Sequence, residues 1–171
     1  MLGKKLEKAL NDQLNYELYS AYVYASMAAW FDSIDMPGFS SWMQIQVQEE
    51  MVHVQKFFSF ISERDGRVRL AQVHEPPFEW ESALAAFQNA YEHECGVSSR
   101  IHALVDMARE EKDHAVENFL QWFVTEQVEE EASTKTVVQQ LKFLGDDRHA
   151  LFMIDRELGQ RVFTPPAAGG A

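Results

Sequence analysis

Val47-Gln48-Glu49-Glu50-Met51-Val52-His53 sits inside a run that otherwise reads as a core helix. Glu50 and His53 are three residues apart, so on a helix they share one face. Phe39, Trp42, Met43, Phe57, Phe60 and Ile61 mark that face as apolar. A carboxylate and an imidazole in the middle of it need partners, because an unpaired buried charge costs several kcal/mol.

Working outward, the same periodicity predicts a helix over residues 39–64, closed by Asp65-Gly66. Before it, Ser33-Ile34-Asp35-Met36-Pro37-Gly38 is a turn signal. Leu6, Leu10, Leu14, Glu17, Ala21, Tyr24, Ala28 and Phe31 form one stripe of a helix over 5–31. After residue 66 the helical pattern stops, and Glu75-Pro76-Pro77 is extended or turn-like. This connection of roughly 13 to 15 residues is long for a compact domain. At ~3.3 Å per residue it can run the ~40 Å length of a 27-residue helix. Further stripes predict helices over 81–109 and 114–141, with Asp113 as an N-cap. Gly145 breaks the fourth, and Leu151, Ile154 and Leu158 mark a short fifth over 146–158. Residues 161–171, rich in Pro, Ala and Gly, read as a flexible tail. The expectation is all-α: one domain over 1–160, two helical hairpins joined by one long crossover, and a short helix appended.

The 171-residue chain carries a formal net charge of −12, which disfavours nucleic acid as a partner. Its hydrophobic fraction is 46%, yet no run approaches the ~18 apolar residues of a membrane span. One cysteine, Cys95, fits a reducing compartment, and the expected location is cytoplasmic.

The polar interruptions of the four long stripes are Glu17, Glu50 with His53, Glu94, and Gln127 with Glu130. Each lies near the midpoint of its helix. Midpoints of helices of similar length meet at one level, whichever way each helix runs. Four carboxylates, one imidazole and one amide therefore converge, with no Lys or Arg on these stripes near them. Divalent cations are the natural remedy, and carboxylates with one imidazole suit iron, manganese or zinc. Only one Glu-x-x-His pair is complete. The opposite position reads Gln127-x-x-Glu130, so nitrogen ligation is one-sided and the two metal positions are unequal. Glu126 and Glu130 share a face, and with Glu49 and Glu129 they can form a third, more exposed position. Tyr24 lies two turns from Glu17, either as a core tyrosine or as a redox neighbour. Trp122 and Met51 read as packing, Glu131 as a solvated charge, and Cys95 as a bystander. His74, His93, His102, His114 and His149 read as surface or capping residues.

The stretches Asn15-Tyr16-Glu17-Leu18-Tyr19-Ser20-Ala21-Tyr22, Glu49-Glu50-Met51-Val52-His53, Tyr91-Glu92-His93-Glu94 and Phe119 to Glu131 resemble a ferritin of the haem-free bacterial type, over about residues 1–160. The resemblance implies a ferroxidase centre of Glu17, Glu50, His53, Glu94, Gln127 and Glu130, with Glu50 bridging two irons. It implies a third iron site of Glu49, Glu126, Glu129 and Glu130, with Tyr24 and Trp122 as neighbouring aromatics. It also implies a hollow 24-subunit shell in which Fe(II) is oxidised by dioxygen or hydrogen peroxide and stored as ferric mineral, with the fifth helix lining the four-fold axes. Glu117 and Leu120 match the positions used for iron uptake in animal ferritins. A haem-binding bacterioferritin carries a second His where this chain has Glu130. A peroxide-detoxifying di-iron enzyme is the other alternative.

Overall fold

The computed structural model describes residues 2–145 and 147–165. Five helices follow one another: α1 (Lys4–Ser33), α2 (Pro37–Glu63), α3 (Ala83–Glu110), α4 (His114–Leu144) and α5 (Arg148–Leu158). No strand occurs among the described residues. The fold is the expected all-α bundle with one long crossover and a short fifth helix.

The caps explain most of the boundaries. Ser82 accepts from the Ala85 N–H and starts α3. Asp113 accepts from the Val116 N–H and starts α4, while Arg64 grips the same carboxylate at 3.0 and 3.1 Å. Asp147 accepts from the N–H groups of His149 and Ala150 and starts α5. Residue 146, where the pattern placed that start, lies outside the described residues.

Most boundaries shift by one to three residues, and the start of α2 shifts for a reason the pattern does not show. Pro37-Gly38 belongs to the first turn of α2 rather than to the preceding turn. Proline at the first helical position loses nothing, because its missing N–H has no intrahelical partner there. The next two N–H groups, of Gly38 and Phe39, are taken by the buried Asp155 carboxylate from α5, at 2.8 and 3.0 Å. The cap comes from 117 residues away, so no local pattern shows it.

The core has two halves. One gathers Val23 to Phe31 of α1, Phe39 to Met43 of α2, Ala83 to Ala90 of α3 and Val137 to Leu141 of α4, with Leu158 of α5. The other gathers Leu6 to Leu14, Val54 to Ile61, Val97 to Ala108 and Val116 to Phe123. The N-terminal halves of α1 and α4 thus share one end with the C-terminal halves of α2 and α3. The crossover leaves α2 at that end and must reach the other to begin α3. It runs along α1 and is tied to it. Asn11 donates to the Arg67 carbonyl and accepts from the Arg69 N–H. Asn15 does the same with the Arg69 carbonyl and the Ala71 N–H. Farther on, Ser26 donates to the Pro77 carbonyl at 2.6 Å. Side-chain amides satisfy an extended backbone that has no strand to pair with.

Candidate metal centre

The level between the two half-cores is polar. Glu17 comes from α1, Glu50 and His53 from α2, Glu94 from α3, and Gln127 and Glu130 from α4. All six are buried, the most exposed at 5%. Each helix contributes by periodicity alone, since each residue continues an apolar stripe on both sides.

Glu17 Oε1 accepts from Gln13 at 2.8 Å. Its Oε2 lies 3.9 Å from His53 Nδ1, and Glu50 Oε2 lies 3.3 Å from the same nitrogen. These three atoms have no hydrogen-bond partner among the described residues. One ligand atom from each of Glu17, Glu50 and His53 lies within 4.8 Å of the others. Buried polar atoms are seldom left unpartnered. Three of them facing one another fit a cation between them, and the donor chemistry suits iron.

Across the centre, Glu94 accepts a short hydrogen bond from the Tyr24 hydroxyl and one of 3.1 Å from Gln127. Tyr24 is therefore a fully buried tyrosine that also touches the carboxylate cluster. Gln46 donates to Glu130 at 2.8 Å. Trp122 stands edge-on to the His53 ring, with centroids 5.5 Å apart.

Burial pushes the Glu17 and Glu50 carboxyls well above the usual carboxylate range, with neighbouring carboxylates adding to the rise. Burial likewise raises Glu94 and pushes Glu130 up to about 8. The folded, metal-free protein therefore holds protons that the unfolded chain releases. Stability from these groups is full below their unfolded value of 4.5 and falls as pH rises through their raised values, about 8 for Glu130. Glu130→Gln stays neutral throughout. In chelator-treated protein it is expected to flatten this fall, read as the shift of the urea midpoint across that pH window. Parallel curves for both proteins would refute it.

The outer acidic set is less uniform. His53, Glu126 and Glu130 form a second group within 4.8 Å. Glu129 is exposed and belongs to neither group. Glu49 is held by Arg161, whose Nη2 lies 3.0 and 2.7 Å from its two oxygens. The expected flexible tail starts at 161, but this residue is anchored by that ion pair.

Other readings change as well. His93 is no surface histidine. It is largely buried, its ring stacks on Tyr16 with centroids 5.4 Å apart, and Ser20 lies 2.8 Å from its Nε2. Burial lowers it to about 4, so it is neutral at ordinary pH. Glu131 is only half-solvated and accepts from Ser98. Leu120 is wholly buried in the second half-core, so it lines no channel, and Glu117 is paired with Arg109 at 2.7 Å. Gln13, Gln46 and Arg161 also touch the acidic groups. The two glutamines sit four residues before Glu17 and Glu50, a spacing that marks them as neighbours on the same face. Nothing in the local pattern marks Arg161.

The family described as "Ferritin-like domain" matches residues 7–144. A bacterial non-heme ferritin of Staphylococcus aureus is 39% identical over 163 residues, covering 95% of this chain and 98% of that one. A probable bacterial non-heme ferritin-like protein of Haemophilus influenzae is 38% identical over 159 residues, covering 93% and 96%. Among solved structures, an open pore ferritin from the archaeon Archaeoglobus fulgidus is 56% identical, with a TM-score of 0.94, covering 95% of this chain and all of that one. A form of the Archaeoglobus protein engineered to be closed gives a TM-score of 0.95 over 96% of this chain. With the bundle, the crossover and relatives of nearly full length in agreement, the chain belongs to the ferritin family, among its haem-free members.

Proposed function

We propose that this protein oxidises Fe(II) and stores it as ferric mineral inside a shell of its own copies. The observation that carries this reading is the trio of buried, unpartnered atoms on Glu17, Glu50 and His53, facing Glu94 and Glu130 across the bundle. Iron is the substrate. Fe(II) enters as two ions per subunit, and the carboxyls that burial keeps protonated release their protons as it binds. Each iron gives up one electron, and one dioxygen or hydrogen peroxide molecule takes both. Taking up two protons, such as those the carboxyls release, dioxygen leaves as hydrogen peroxide, and peroxide leaves as two molecules of water.

The ligand set gives the two irons unequal hosts. Glu17, Glu50 and His53 supply the site with nitrogen. Glu94, Glu130 and the amide of Gln127 supply the oxygen-rich one, with Glu50 between them. Glu130 belongs both to the oxygen-rich side and to the outer group with Glu126, so ferric iron moves on toward Glu49, Glu126 and Glu129. Tyr24, hydrogen-bonded to Glu94, orients that carboxylate toward the centre.

Solution mass tests the shell: 24 copies of the 19.7 kDa chain give roughly 470 kDa. Rapid mixing tests the chemistry. Fe(II) in air is expected to give a fast ferric-oxo absorbance that saturates at about two irons per subunit, followed by slow growth of a core. A small particle would remove storage, and the absence of any fast phase would remove the oxidation centre. The Archaeoglobus relative is described as open pore. Whether this shell is open or closed is thus a separate property from the chemistry of its subunit.

A further inference from the structure

Arg161 follows α5, and its guanidinium reaches back to α2. It holds both oxygens of Glu49 and donates through Nη1 to Gln46 Oε1. Its Cζ lies 4.7 Å from the centroid of the Trp42 ring. Gln46 in turn donates to Glu130 at 2.8 Å. One cation from the C-terminal segment therefore covers Glu49 and is linked through a single amide to Glu130.

The ion pair answers the crowding of like charge that any filled third site would also answer. A guanidinium brings one charge and a flat, two-pronged grip. A divalent cation brings two charges and shorter contacts. Held on the same carboxylate they repel each other and compete for its lone pairs. The pair is also not sealed, with side chains 26 and 21% exposed, so exchange needs no opening of the bundle.

We propose that Arg161 is the resident counter-cation of the third site, and that a divalent cation reaches Glu49 only by displacing it. The inference rests on the reading of Glu49, Glu126, Glu129 and Glu130 as a third iron site. It makes Arg161 a positioning residue. While the guanidinium is in place, Glu49 is withheld, and the group left to a cation is His53, Glu126 and Glu130. When a cation takes Glu49, the segment after Gly159 loses its grip on α2, and Gln46 loses the partner that fixes its amide toward Glu130. Filling of the outer site is thereby coupled to the packing of the chain beyond α5.

Zinc(II), a redox-silent probe, tests this on the assembled protein. Titration calorimetry gives the affinities, and hydrogen exchange read by mass spectrometry follows the amides of residues 159–165. In the wild type, zinc beyond the first pair is expected to bind weakly and to speed exchange in that segment. Arg161→Gln is expected to take the third zinc roughly tenfold more tightly, with exchange there already fast and indifferent to zinc. Arg161→Lys keeps the charge without the two-pronged grip and falls between them. An unchanged third affinity in Arg161→Gln, or zinc-indifferent exchange in the wild type, would each overturn the proposal. Failure of the wild type to take even the first pair, with His53→Ala making no difference, would overturn the reading of the centre itself and this inference with it.

Discussion

His53→Ala is expected to abolish the fast phase of iron oxidation while leaving the helical content unchanged. The imidazole is the one nitrogen donor in the centre, and its Nδ1 faces two carboxylate oxygens that have no other partner. Loss of an outer partner that merely orients a ligand commonly costs about 10–100-fold in metal affinity or activity. Loss of the ligand itself should cost at least ~100-fold. Glu94→Ala should match it for a different reason, since it removes both the opposing carboxylate and the partner of Tyr24 and Gln127. His53→Ala removes a buried nitrogen that has no hydrogen-bond partner, and Glu94→Ala leaves the buried Tyr24 hydroxyl unpaired, so the second variant is expected to lose more stability while its helices still form. Stopped-flow absorbance after mixing with Fe(II) in air, alongside far-ultraviolet circular dichroism, separates the two properties. Wild-type kinetics in both variants would mean that oxidation happens elsewhere.

The second large effect is structural. Gly38→Ala is expected to detach α5 from the bundle. A Cβ on Gly38 would lie 1.6 Å from the Asp155 carbonyl oxygen and 2.5 Å from its carbon. Both are backbone atoms, so no rotamer change relieves the clash. The two helices must part, and the first-turn N–H groups of α2 then lose the carboxylate that caps them. A lost cap costs about 1 kcal/mol. Exposing the Leu158 side chain and unseating its neighbours Leu151 and Ile154 adds to that, for a total of about 3 kcal/mol or more. Faster hydrogen exchange across α5, with α3 and α4 unaffected, is the expected signature. If α5 lines the four-fold axes of the shell, as the resemblance implies, the same variant shifts the particle to smaller species. Wild-type exchange in α5 would show that the contact has another origin.

Much of this was legible in the chain because the governing signals are local or periodic. Each long helix displays its stripe in full, and each polar interruption falls at its centre. Antiparallel packing then brings Glu17, Glu50, Glu94 and Glu130 to one level without any knowledge of distance. The start of α2 was misread because its cap, Asp155, belongs to a different helix. Arg161 was invisible for the same reason. Its partners Glu49 and Gln46 are 112 and 115 residues away, and the tail composition around it gives no hint of an ion pair. His93 was misread because burial there comes from Tyr16 and Tyr19 on α1, which its own helix does not reveal. The orphaned atoms at the centre also needed coordinates. Periodicity says that groups share a level, but not which of their oxygens already have a partner.

The divided core has an evolutionary corollary. The two apolar halves meet the polar level from opposite sides and share few members across it. Cohesion is thus supplied at the ends of the bundle, and the cluster of buried carboxyls with one imidazole is confined to the waist. Drift can repack either end, at the usual cost of volume-conserving swaps, without moving a ligand. The waist carries the opposite bias. Apolar substitutions there would raise the stability of the metal-free protein, so only selection for chemistry keeps it polar. Among buried positions, sequences diverging from this one should therefore vary more in the identity of end residues such as Phe87 or Leu104 than at the six positions of the waist.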